Sequence, residues 1–302
     1  MRQILKLNLV LFLTIFILLN FLIVEANEVP LKTNIALLPV VDNQTTLDVQ
    51  FPVSLAKKRP LVFNVQDKNI QTYLNTSNID TDKDGLVDIL DARPYQVGVL
   101  SNLLYKVNYN HKQYIFRINV NHDYVDFFRI KMPHYLKPDA SNISTFIVKK
   151  DPYLRDLVEQ ARYYAKKDKT VNTEQLLISL AHSFSYNADS YTGRLEYPKY
   201  PIETLIDQSG DCEDLAILTF NLLAEYKGYK EMAFVFFPRH IGVGFKVSDR
   251  LIKARRSIGL PSYYFEKDKK KYLYLETTNP AWNIGQLPKE YKDKSYQIYL
   301  AQ

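Results

Sequence analysis

A single cysteine, Cys212, excludes any internal disulfide, so the fold rests on its core, with a bound metal as the remaining kind of staple. Glycine is scarce at 9 residues and tryptophan occurs once, whereas tyrosine reaches 23, so aromatic rings are expected to fill strands and cover surfaces. There is no internal repeat and no low-complexity tract. The net charge of +6 forms no organised basic face. Lys253, Arg255, Arg256 and the run Lys269-Lys270-Lys271 lack repeating interleaved aromatics and match no nucleic-acid module, so they read as solvated loop and no nucleic-acid partner is expected. What remains is an ordinary globular balance, 46% apolar and 24% charged, over 302 residues, enough for one large domain or two modest ones.

The N-terminus is built for export. Arg2 and Lys6 precede an apolar stretch from Leu7 to Val24, and Val24 and Ala26 fit the small-residue rule for signal cleavage. The stretch also approaches the length of a spanning helix, so residues 1–26 are either a signal peptide or a membrane anchor. The basic residues lie before the apolar segment, and both cases place the body of the chain outside the cytoplasm, secreted or membrane-attached.

Three regions follow from composition: 1–26, a β-rich N-terminal region at 27–98, and a larger domain at 99–302. Residues 103–130 read as two alternating strands around a turn at Asn110-His111. A helix follows with Pro152 at its first position, then a second with Thr173 as cap. A third begins at "SGDCEDLAIL", with Asp211 as N-cap, Asp214 three residues on, one apolar face turned inward and Gly228 as stop. Strand patterns run through "MAFVFF", "HIGVGFKV" and "KYLYLETT".

Cys212 therefore heads a helix, where the macrodipole favours thiolate over thiol. His240 opens a strand and is followed by two glycines that leave its face uncrowded, so it can serve as the partner base. Glu276, on the third strand pattern, can orient the imidazole. Asp211 and Asp214 read as capping or cleft-shaping residues, and His182 as a buried structural histidine.

Three blocks carry a resemblance: "YPKYPIETLIDQSGDCEDLAILTFNLLAEYKGY", "FFPRHIGVGF" and "YLYLETTNPAWNIGQLP". Together they resemble the transglutaminase-like superfamily, specifically its bacterial and archaeal cysteine-peptidase-like branch. The resemblance implies an α+β fold with a papain-like core, in which a cysteine heads a helix packed on an antiparallel sheet that supplies histidine and acid. It implies Cys212 as nucleophile, His240 as base and Glu276 as third member, where the superfamily commonly has Asp. Tyr186 is the candidate side-chain donor to the oxyanion, beside the Cys212 N–H. The expected activity is hydrolysis of peptide or amide bonds through an acyl-enzyme, acting on a protein or peptide substrate. Amine transfer to glutamine, and a non-catalytic calcium-dependent binding module, stay open beside it.

The stretch "DTDKDGLVDILD" puts Asp80, Asp82, Asp84, Asp88 and Asp91 at calcium-loop positions 1, 3, 5, 9 and 12, with Gly85 at the sharp turn. Leu86 offers its backbone carbonyl. The continuation to Pro94 resembles thrombospondin type 3 calcium repeats. Ca²⁺ is thus the expected cofactor, as a structural staple or a regulator.

Overall fold

The computed structural model describes residues 46–47, 64–65, 99–134, 138–189 and 196–301. The apolar stretch at 7–24 and the calcium loop at 80–91 lie outside the described residues. Among the described residues no helix is long and apolar enough to cross a membrane.

The chain is mixed α+β around an antiparallel sheet. Two short N-terminal strands, β1 (Thr46–Leu47) and β2 (Asn64–Val65), pair with β4 and β5 below. A hairpin follows, β3 (Leu100–Tyr109) and β4 (Lys112–Asn121), closed by Asn110 and His111. Both turn residues have positive φ, 48° and 59°, the backbone hand that matches the twist of two paired strands.

The strands stop earlier than the sequence pattern implied. The Asn121 side chain accepts from the Asp123 N–H and starts helix α1 (His122–Lys131), where Tyr124, Val125, Phe127 and Phe128 are buried. The apolar spacing there is helical, and the cap decides the matter. Beyond α1 come β5 (Val148–Lys149), α2 (Pro152–Lys167) and α3 (Thr173–Ala181). Pro152 stands in the first turn of α2, behind an Asp151 cap. In α3 the cap is Asn172, which accepts from the Gln175 N–H, and not Thr173, which is already helical.

Strand β6 (Ser185–Tyr186), helix α4 (Pro201–Asp207) and strand β7 (Ser209–Gly210) lead into α5 (Cys212–Lys227). The inward-facing stripe expected of α5 is instead a helix buried all round, from Glu213 to Ala224. Helices α2 and α3 cover one side and the sheet the other. Phe220 stacks on Phe234 of the sheet at 4.1 Å, and Asn221 is fully bonded, donating to Phe146 O and Ile217 O and accepting from Val148 N–H. Each fully buried leucine on α5 is worth about 2 kcal/mol, so the N-terminal turn of α5 stands on a rigid support.

The main sheet has the order β10-β11-β9-β8-β12, antiparallel throughout: β8 (Met232–Phe237), β9 (His240–Val247), β10 (Tyr264–Lys267), β11 (Lys270–Leu275) and β12 (Gln297–Leu300). Both faces are covered. Phe234, Phe236, Ile241, Val243 and Phe245 join the large core with α5, while Val235, Phe237, Phe265, Tyr272 and Tyr274 build a smaller one on the opposite face. The basic segment between His240 and Glu276 keeps Lys253, Arg256, Lys269 and Lys270 in solvent, as expected, but is not a loop throughout. It forms helix α6 (Asp249–Ser257) and the β10–β11 hairpin, and Arg255 is buried, donating to Pro261 O and Ile284 O.

Candidate active site

Glycine at 210 lets the chain turn tightly into α5, since a Cβ there would lie 2.4 Å from Asp214 Cβ. Asp211 caps the helix and forms a reciprocal box with Asp214, as the sequence predicts. Cys212 is then the first helical residue, so its N–H belongs to the set that has no partner within the helix and faces outward as a donor. The thiol is partly buried, and the Ile241 backbone N–H is directed at its sulfur. The nucleophile candidate thus meets the start of β9, one residue from His240.

His240 opens β9 opposite Phe237 and is buried. Its Nε2 lies 2.9 Å from Glu276 Oε2. Glu276 follows directly on the last residue of β11, so its side chain is free of the ladder and its carboxylate is held from both ends. Tyr274 OH donates to Oε2 at 2.8 Å; Thr277 N–H, Thr278 N–H and Thr278 Oγ1 donate to Oε1 at 3.1, 3.1 and 2.7 Å. Burial alone would raise this carboxyl, but His240 and the Thr278 and Tyr274 hydroxyls outweigh it and hold it down to about 2. A carboxylate bound to Nε2 fixes the tautomer with the proton on Nε2, leaving Nδ1 as the basic nitrogen.

The space beside His240 is not empty as the glycine pattern implied. A Cβ at Gly242 would lie 2.5 Å from the Tyr274 ring, so this glycine exists to admit the tyrosine that braces Glu276. His182 is half-buried and donates from Nε2 to the Glu276 carbonyl at 2.9 Å. Burial pushes its imidazole down, and it acts as a backbone support behind the acid, consistent with the structural part expected of it.

The thiol departs most from expectation. Helix position predicts a thiolate, yet Cys212 Sγ donates to Glu213 Oε2 at 2.9 Å, rather than to His240, and the thiol is pushed up. Burial is the largest cause, followed by the Glu213 and Asp211 charges. Those carboxylates themselves are crowded. Burial and Asp211 raise Glu213 to about 9, and burial and Asp211 raise Asp214 to about 8 against the opposing Lys199 ammonium. Lys199 lies 3.1 Å from Asp207 and 3.6 Å from Asp214. The macrodipole contributes at most about 1–2 kcal/mol, too little to offset burial beside two carboxylates. The resting thiol is neutral.

Tyr186 is brought beside the nucleophile by strand pairing. Strand β6 runs parallel to β7 with Tyr186 opposite Gly210, and the Asn187 N–H donates to the Gly210 carbonyl. Tyr186 is 53% exposed. The same pairing brings in acids that sequence spacing does not mark. Asp189, Glu196 and Asp211 present carboxylate oxygens within 4.8 Å of one another, two of the residues buried and Glu196 exposed, a set that can hold a metal ion. Tyr291, from a short 3₁₀ turn at Lys289–Tyr291, stacks on His240 and is a further residue that the sequence does not single out. Its only signal there is an aromatic downstream of the acid. No protein-family model matches this chain, and no curated protein matches it.

Proposed function

We propose that this chain is an exported, thiol-dependent amide hydrolase of the transglutaminase-like type, with Cys212 as nucleophile, His240 as base and Glu276 as the acid that orients it. The observation that carries this reading is the 2.9 Å contact between His240 Nε2 and Glu276 Oε2, on a carboxylate whose other contacts all come from donors. A solvent-facing histidine–glutamate pair needs no such cradle. The papain-like core belongs to the same proposal, supported by a helix headed by Cys212 and packed on the antiparallel strands that bear His240.

In this mechanism Cys212 sulfur attacks the amide carbon as its proton passes to His240 Nδ1. The oxyanion accepts from the Cys212 N–H, with the Tyr186 hydroxyl as second donor. The imidazolium then protonates the leaving amine, which departs and leaves a thioester on Cys212. Water, deprotonated by His240, adds to the thioester, releasing the carboxylic acid and restoring the thiol. Because the resting thiol is neutral, His240 acts as a general base during attack and not as the imidazolium of a standing ion pair.

Calcium enters on the sequence pattern of Asp80, Asp82, Asp84, Leu86 carbonyl, Asp88 and Asp91. The substrate class is protein or peptide, met outside the cytoplasm, with attachment to the membrane or release set by residues 1–26. Nucleic acid is not among the proposed partners.

One observation favours a second reading, a non-catalytic calcium-dependent surface module: the thiol is held neutral by burial and Glu213. Acid quenching of the protein with a mixed peptide substrate, followed by mass spectrometry of the Cys212 peptide, separates the two. The hydrolase predicts an acyl adduct on Cys212 and new peptide termini, both lost in Cys212→Ala. Primary-amine incorporation in place of new termini indicates transfer, and identical behaviour of wild type and Cys212→Ala indicates the binding module.

A further inference from the structure

From the packing around His240 we infer that Tyr291 is a positioning residue, whose ring fixes the plane of the imidazole and with it the direction of Nδ1; this rests on His240 being the base. The Glu276 bond holds His240 at one nitrogen only. A hydrogen bond at Nε2 resists turning about the Cβ–Cγ bond only weakly, because Nε2 lies close to that axis and the torsion is intrinsically broad, whereas the same rotation carries Nδ1 further. A second restraint is needed, and it must act on the ring face.

Tyr291 supplies it. Its ring lies 4.8 Å from that of His240 with only 4° between the planes, and Phe237 lies beside both, 4.8 Å from Tyr291 at 26° and 6.2 Å from His240 at 23°. Phe237 is in turn met edge-on by Tyr274, the residue that donates to Glu276, so the stack and the acid share one support. Tyr291 also stands near enough to the sulfur for Cys212 to be felt at its phenol, after burial, Glu276 and Glu290. The electron-rich face of the tyrosine favours the imidazolium that forms when His240 takes the thiol proton, so stacking aids the proton transfer as well as the aim. The residue is half-buried and packs against the smaller core.

The test compares the full chain with Tyr291→Leu, Tyr291→Phe and His240→Ala, using iodoacetamide alkylation of Cys212 at neutral pH. NMR of the His240 ring protons and melting curves accompany it. Tyr291→Leu is expected to slow alkylation between about twofold and tenfold, the range a ring pair supports. Its His240 ring protons move downfield as the stacked ring's shielding is lost. Tyr291→Phe keeps the ring, and is expected within about twofold of wild type with the shielding intact. That rescue is what a merely structural part would not show if both variants melt alike. If Tyr291→Phe slows as far as Tyr291→Leu, the hydroxyl and not the ring is at work and the inference falls. If His240→Ala is slow and Tyr291→Leu is not, the base assignment stands and this inference alone fails. If His240→Ala alkylates at the wild-type rate, the base assignment itself has failed, while the NMR shielding still reports the stack.

Discussion

Tyr274 OH and His240 Nε2 meet on the same oxygen of Glu276, at 2.8 and 2.9 Å, and stand 3.4 Å from each other. Both face an oxygen that can only accept, so both donate, and the imidazole has a single possible tautomer while the carboxylate is ionised. Glu276→Gln breaks this, because an amide oxygen that keeps His240 and Tyr274 turns the NH₂ on the Thr277 and Thr278 donors, and the flipped amide turns it on His240 and Tyr274. Turnover is expected to fall about a hundredfold or more, measured as kcat on any peptide the wild type cleaves.

The same carboxylate dictates an acid limb of stability. Its folded value, about 2, lies below the 4.5 it has in the unfolded chain. A depressed carboxyl contributes stability that is present above pH 4.5 and lost as pH falls from about 4.5 through about 2. Melting temperatures recorded down that interval should drop in wild type and drop less steeply in Glu276→Gln. Parallel curves for the two would show that the cradle is not ionised in the folded state.

Glu213→Gln is expected to make Cys212 more reactive. Glu213 is raised to about 9, so above that pH the substitution removes the nearest negative charge and the charged acceptor of the thiol proton, leaving burial as the main force that keeps sulfur neutral. Iodoacetamide alkylation above about pH 9 should accelerate severalfold over wild type, with little change near pH 7. A slower variant would mean that Glu213 helps to remove the thiol proton and does not retain it.

Gly242→Ala tests the space that Tyr274 occupies. The added methyl would meet the Tyr274 ring at 2.5 Å, and the ring has backing from Phe237 and Phe265, so it cannot yield cheaply. A loss of about 1–3 kcal/mol in denaturant unfolding is expected, with turnover reduced because Glu276 loses a donor.

Calcium should bind at 80–91 independently of the thiol. Terbium luminescence displaced by calcium is expected in wild type and abolished in Asp82→Ala with Asp84→Ala. An undiminished signal in the double variant would point to the Asp189, Glu196 and Asp211 carboxylates instead.

Much of the site was legible because its parts are local. An Asp–Cys–x–Asp capping box announces the head of α5 at Cys212, a glycine ends it at Gly228, and alternation bounds β9 at His240–Val247. The two-residue turn at Asn110 and His111 is likewise a local signal. What escaped depends on distant packing. Whether Cys212 is thiolate turns on where Glu213 points and how deeply both are buried, and helix position says nothing of either. The pairing of β6 with β7 carries Tyr186 and Asp189 to the head of α5 across a long connection, which no spacing rule encodes. Gly242 reads as open space in one strand and is filled by a tyrosine from the next.

The most direct measurement is the rate of Cys212 alkylation by iodoacetamide from about pH 5 to 9 in wild type and His240→Ala. His240→Ala is expected to be slower by at least about tenfold near neutral pH, since His240 is the acceptor for the thiol proton. Equal rates in the two proteins across that range, or a Cys212 that never reacts in the folded chain, would contradict it.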